Sequence, residues 1–157
     1  MVTAVPGEQI GALMHQVVPM VATLGLDYVS VTADEAVVVL RDQPGYRNHV
    51  GGPHAGAMFT VAESATGAVA IAAFGDLLDR AVLLPMTATI DFLAIAKGDL
   101  TATARIDADI TSARASFEAG ERPEFDIVAS ITSAEGVQTG RLRARWTLKR
   151  LRTEPAT

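Results

Sequence analysis

Glu63 is the single charged residue between Ala55 and Phe74, a stretch otherwise made of alanine, glycine, larger apolar side chains and the hydroxyls of Thr60, Ser64 and Thr66. A carboxylate in such a setting can take a proton from water or attack an electrophilic carbon directly. It can equally be a charge at a helix rim, exposed or paired with an arginine such as Arg105 or Arg143. Ahead of it, Gly52-Pro53-His54 offers no Ser, Thr, Asp or Asn to cap a helix starting at Ala55. Free N–H groups at that end would favour an oxyanion, unless water satisfies them. Ala55 and Glu63 lie about 12 Å apart along a helix that rises about 1.5 Å per residue. One helix cannot easily bring both groups to one carbonyl. If they cooperate, they come from two copies of the chain, and the site lies at the interface of a symmetric dimer.

Other chemistries have little material. The 157 residues include 0 Cys and 3 His, so thiolate nucleophiles, disulfides and Cys-based metal sites are excluded, and no metal site is expected. His54 is the histidine that adjoins the expected helix start, while His15 and His49 read as structural. Thr66, three residues after Glu63, can share its helix face and bond to it, or bond the preceding turn as a mid-helix threonine usually does. A net charge of −5 argues against nucleic acid as a partner. The apolar stretch is long enough to raise the question of a membrane span, but a central Glu63 is costly in lipid, so a helix buried in protein is expected. The N-terminal residues lack a basic segment followed by an apolar run, which predicts a cytoplasmic location.

The elements that must position these residues are legible from periodicity. Ile10, Leu13, Met14, Val17 and Val21 predict a short helix over about 8–22, kinked or ended by Pro19. Two strands are expected over 26–32 and 36–40, then an irregular segment over 41–53, then a long helix over about 55–75. Alternation follows in four runs: Met86 to Phe92, Thr101 to Ile110, Phe125 to Ile131 and Arg141 to Lys149. Tight turns are expected at Lys97-Gly98-Asp99 and Glu135-Gly136, a longer loop over 112–123, and a frayed tail over 152–157. A helix apolar nearly all round must be enclosed, so the pattern predicts one α+β domain over 1–157, a curled antiparallel sheet wrapped around one long central helix.

Asn48, Gly51, His54-Ala55-Gly56 and Glu63 have the spacing of a motif in the hotdog-fold thioesterase superfamily, and the chain most resembles its phenylacetic-acid-degradation type. Ile90 to Asp99 is similar to that family's strand-plus-turn segment, with Ile95 where proline is common. The sequence also has Ala55 in place of the family's glycine, and Glu63 where many relatives carry Asp. The resemblance implies hydrolysis of a small or medium acyl- or aryl-coenzyme A, in a homodimer or dimer of dimers, with no cofactor beyond the coenzyme A of the substrate. It assigns Glu63 as general base or nucleophile, the Ala55 N–H as oxyanion donor, Asn48 as the group orienting water or carbonyl, and His54 as the group holding the thioester or the loop. Gly51, Gly56 and Thr66 would line the substrate site. Lys97 and Arg114 are candidates for the nucleotide phosphates, whereas Arg141, Arg143, Arg145 and Lys149 read better as a solvated sheet face. A non-catalytic acyl-binding protein on the same scaffold is the alternative. A hydratase ranks last, because its Asn-Pro signature is absent.

Overall fold

Helix α3 (Ala55–Phe74) buries side chains all around its circumference, from Val61 and Ala62 to Ala68 and Val69. Alanine favours helix, and its small side chain lets strands approach the helix closely. The enclosing wall is one antiparallel sheet of β1 (Asp27–Val31), β2 (Glu35–Leu40), β3 (Ala81–Phe92), β4 (Leu100–Ile106), β5 (Glu124–Ser133) and β6 (Gln138–Arg150). The spatial order is β1-β2-β4-β5-β6-β3. The computed structural model describes residues 6–152. Although α3 with the turn behind it is long and apolar enough to cross a membrane, most of it is enclosed within the fold.

Alternation sets the sheet faces. Leu142, Ala144, Trp146 and Leu148 of β6 are buried, while Arg141, Arg143, Arg145 and Lys149 are exposed. Those three arginines meet acids on neighbouring strands: Arg141 pairs with Asp91, Arg143 with Asp107 and Asp126, and Arg145 with Asp126 and Glu124. The solvated-face reading therefore fits, and the exposed pairs add little stability individually.

Several expectations are corrected. The helix predicted over 8–22 is two helices, α1 (Gly7–Val17) and α2 (Pro19–Leu24). Pro19 lacks an N–H and pushes Val18 into an extended conformation, so α1 ends there and Pro19 starts α2. The run at Thr101 to Ile110 stops as a strand at Ile106, and the loop expected over 112–123 contains helix α4 (Ile110–Glu118). Asp109 caps it, accepting from the Thr111 N–H at 2.9 Å and the Ser112 hydroxyl at 2.6 Å. Lys97-Gly98-Asp99 does not close a hairpin, because β3 pairs with β6 and β4 with β2 and β5. Residues 93–99 instead cross from one part of the sheet to another. The expected frayed tail falls on residues 153–157, outside the described residues, apart from Arg152, which is exposed.

Strand β3 also begins earlier than alternation suggests, at Ala81, because the pairing register shifts between Pro85 and Thr87 and changes the phase of the pattern. It is an edge strand. Ala88 and Phe92 sit opposite Ala144 and Gly140 of β6, on the sheet's inner side, yet both are exposed, Phe92 by 54%. Met86, at the register shift, is 44% exposed.

Candidate active site

The segment before α3 is built by Asn48. Its Oδ1 accepts from the N–H groups of Val50 (3.0 Å) and Gly52 (3.2 Å), and its Nδ2 donates to the Pro53 carbonyl at 3.3 Å. Gly51 takes φ +80°, a conformation glycine adopts without strain. Gly52 lies so close to the crossover that a Cβ there would be 2.1 Å from the Ala96 carbonyl oxygen. Asn48 thus spends its carbonyl oxygen and one amide hydrogen on its own loop. Its second amide hydrogen makes no hydrogen bond among the described residues, and Asn48 lines the cleft at the start of α3.

The helix start is capped, contrary to the sequence reading. His54 adopts an extended conformation, and its Nδ1 accepts from the Gly56 N–H at 2.9 Å. A Cβ on Gly56 would lie 3.1 Å from that nitrogen, so Gly56 is explained by the cap. With Nδ1 accepting, neutral His54 carries its proton on Nε2. The cap engages one N–H of the first turn. Among the described residues, the Ala55 and Ala57 N–H groups donate no hydrogen bond, and Ala55 is exposed whereas Ala57 is buried. The available anion-stabilising donor is the Ala55 N–H. It opens on a cleft of about 200 Å³ lined by Asn48, Val50, Pro53, Met58, Phe92 and Ile95, among others.

Glu63 lies two turns further along α3, half-buried. Among the described residues its carboxylate has no ion pair and no hydrogen bond. The two arginines expected as partners are engaged elsewhere, Arg105 with Glu35 and Arg143 with Asp107 and Asp126. Burial without a compensating cation pushes the Glu63 carboxyl above the usual glutamate range. The side chain lines a second cavity, of about 240 Å³, with Met14, Val17, Ile71, Leu83 and Trp146 among its walls. The Glu63 cavity and the Ala55 cleft share no lining residue within one chain.

Other predicted residues are placed differently. Thr66 is fully buried. It donates to the Glu63 carbonyl at 2.7 Å and accepts from Trp146 Nε1 at 3.1 Å, so it bonds neither the carboxylate nor a substrate. Arg114 forks onto Asp76 at 2.7 and 2.9 Å, donates to the Ala73 carbonyl and stacks on the Phe74 ring. It fastens α4 to the end of α3, which corrects its assignment to coenzyme A phosphates. Lys97 is exposed in the crossover. His15 donates from Nε2 to the Leu26 carbonyl at 2.6 Å, a structural role.

Two neighbours of Glu63 escaped the sequence reading. Ser64 is 4% exposed and lines the same cavity; its position beside Glu63 was a signal. The Tyr28 hydroxyl is buried beside Ser64 and has no hydrogen-bond partner among the described residues; burial above all, and to a smaller degree the Glu63 charge, raises its pKa well above that of a free phenol. Strand β1 brings Tyr28 here from a distance that no local pattern encodes.

A long helix enclosed by an antiparallel sheet in this strand order is the architecture of the hotdog-fold thioesterases. The chain belongs to the family described as "Domain of unknown function (DUF4442)", whose model matches residues 7–148. It is similar to a Pseudomonas aeruginosa protein of unknown function, PA5026, described as a probable thioesterase. The two are 25% identical, the match covers 95% of this chain and 99% of that one, and the TM-score is 0.83. AziG of S. sahachiroi is 26% identical over 85% of this chain and 98% of its own, with a TM-score of 0.67. The E. coli PaaI protein, from the phenylacetic acid degradation operon, is 19% identical over 92% and 93%, with a TM-score of 0.69, a likeness of fold. No curated protein matches the chain.

Proposed function

We propose that this chain is an acyl-coenzyme A thioesterase working as a homodimer, with Glu63 of one protomer and the Ala55 N–H of its partner completing each site. The observation that carries the reading is the Glu63 carboxylate, which among the described residues is unpaired, on the central helix at an apolar cavity. Such a group is left uncompensated where chemistry requires a base. Glu63 takes a proton from water as the oxygen adds to the thioester carbon. The oxyanion accepts a hydrogen bond from the Ala55 N–H, and His54 Nε2–H is a further donor for the thioester. Collapse of the tetrahedral intermediate breaks the C–S bond, and the proton held by Glu63 passes to the departing thiolate. The products are a carboxylic acid and free coenzyme A.

The dimer is supported by two features. Ala55 and Glu63 open on separate cavities in one chain, and β3 presents an unpaired edge and apolar inner-side residues to solvent. Pairing of β3 with its symmetry copy would satisfy that edge and cover Met86 and Phe92.

The test uses two variants that each remove one half-site. Glu63→Gln removes the base. Ala55→Pro removes the N–H at the first helical position, where proline is tolerated, and His54 already has the extended backbone proline demands. Free-thiol release from a panel of short, medium, long and aryl acyl-coenzyme A esters should fall about a hundredfold or more in each variant. Co-refolded in equal amounts, they should recover about a quarter of wild-type activity, since half the dimers are mixed and each holds one intact site. Absence of recovery refutes the shared site, and absence of wild-type thiol release refutes the thioesterase reading.

A further inference from the structure

Resting on the thioesterase reading, we infer that Tyr28 is a positioning residue of the Glu63 half-site: its hydroxyl donates to that of Ser64, and Ser64 so fixed holds the attacking water against the Glu63 carboxylate. All three residues stand on one chain, Tyr28 on β1 and the other two on α3. Tyr28 is aimed inward by a bulge. β1 pairs Tyr28 with Val38 and Ser30 with Val37, which leaves Val29 as an extra residue, 60% exposed. Strict alternation would put Tyr28 in phase with Ser30, whereas the extra residue puts it in phase with the buried Val31. The ring then rests against α1. A Cβ on Gly11 would lie 2.9 Å from the Tyr28 Cβ, and the rings of His15 and Tyr28 meet edge to face with centroids 6.3 Å apart. His15 is itself held to the Leu26 carbonyl.

Packing alone would be served by phenylalanine. A buried hydroxyl without an acceptor costs stability, and among the described residues the Tyr28 hydroxyl has none. Helix α3 offers it one. Thr60 donates to the Gly56 carbonyl and Thr66 to the Glu63 carbonyl, bonds to the preceding turn that hydroxyls within a helix commonly make, but Ser64 makes no such bond among the described residues. Ser64 instead stands beside Tyr28 and lines the cavity next to Glu63. A serine hydroxyl can accept one hydrogen bond while donating another. Burial keeps the phenol protonated, so Tyr28 is the donor of the pair. With that bond made, Ser64 turns its own proton toward the cavity, where a water accepting it also reaches the Glu63 carboxylate. The water gives one proton to Glu63 as its oxygen adds to the thioester carbon, and neither hydroxyl changes its protonation state.

The test compares Tyr28→Phe, Ser64→Ala and the double variant with wild type in thiol release from the panel of acyl-coenzyme A esters, with thermal melts to show each variant folded. Tyr28→Phe should lower kcat about tenfold with KM unchanged. Ser64→Ala should lower kcat about tenfold or more, and the double variant should lose no more than Ser64→Ala alone, because Tyr28 acts only through Ser64. Wild-type kcat in Tyr28→Phe, or losses that multiply in the double variant, would overturn the role. A readout independent of turnover comes from carbon NMR of protein labelled at tyrosine Cζ. The chain has 2 tyrosines, so Tyr28→Phe identifies the resonance. Ser64→Ala should move the Tyr28 resonance and leave that of Tyr46 in place, and an unmoved Tyr28 resonance would overturn the contact. A moved resonance in a protein that releases no thiol from any ester would refute the thioesterase reading while the Tyr28–Ser64 contact stands.

Discussion

Replacing Glu63 by glutamine should move stability and activity in opposite directions. Among the described residues the carboxylate has no ion pair or hydrogen bond to lose, so the substitution removes a charge that burial disfavours. An amide of the same shape carries a much smaller desolvation penalty, and a gain of about 1 kcal/mol at pH 8 is expected. For a chain of this length that is about 2–4 °C in Tm. The gain has a defined pH dependence. Because burial raises the folded-state pKa above the unfolded value of about 4.3, folded wild type binds more protons than unfolded wild type between those two values, and its stability falls as pH rises. The advantage of glutamine should be complete above the folded pKa and vanish below about pH 4. Thermal melts of both proteins at acid, neutral and mildly alkaline pH read this directly, and thiol release on the same samples should fall about a hundredfold or more. A glutamine variant that melts lower than wild type at pH 8 would mean that a donor or cation holds the carboxylate. An equal gain at pH 4 would mean that charge is not the cause.

Two further substitutions test the corrected assignments. Arg114→Ala removes the fork onto Asp76, the bond to the Ala73 carbonyl and the stacking on Phe74, so it should lower stability by about 1–2 kcal/mol in thermal melts, the ion pair being partly screened. KM for coenzyme A esters should stay unchanged, and a several-fold rise would return Arg114 to the phosphate site. Gly52→Ala forces a methyl group against the Ala96 carbonyl and displaces the loop carrying Asn48. It should reduce kcat about tenfold or more and destabilise by about 2 kcal/mol, and a wild-type kcat would show that this contact does not position the site.

Periodicity revealed the enclosed helix and most of the sheet because burial on one side of a strand, and on all sides of α3, leaves a direct record in residue type. It failed where two patterns overlapped. Ala108 and Ile110 continue the alternation of β4, yet Asp109 caps a helix and its local hydrogen bonds win. It failed again at Pro85, where a register shift breaks the phase, and at Lys97-Gly98-Asp99, whose turn-like composition does not say which strands it joins. Glu63 was legible as an isolated charge, but its lack of a partner follows from the sheet, which puts Arg105 and Arg143 on its solvent face with acids of their own. The His54 cap was invisible to a search for hydroxyl and carboxylate side chains, since an imidazole nitrogen seldom does that work. Tyr28 could not be found from sequence, because it reaches Glu63 only through the pairing of β1 at the sheet's edge.

The break at Val18 separates responsibilities within the molecule. Glu63, Gly67 and Trp146 stand on α3 and β6, whereas one wall of the Glu63 cavity is supplied by the short helix α1, which ends at an exposed Val17. Substitutions along that helix can reshape the cavity while the carboxylate, its helix and the turn at Ala55 stay as they are. Under the thioesterase proposal, the shape of the cavity is thus set apart from the groups that would cleave the bond.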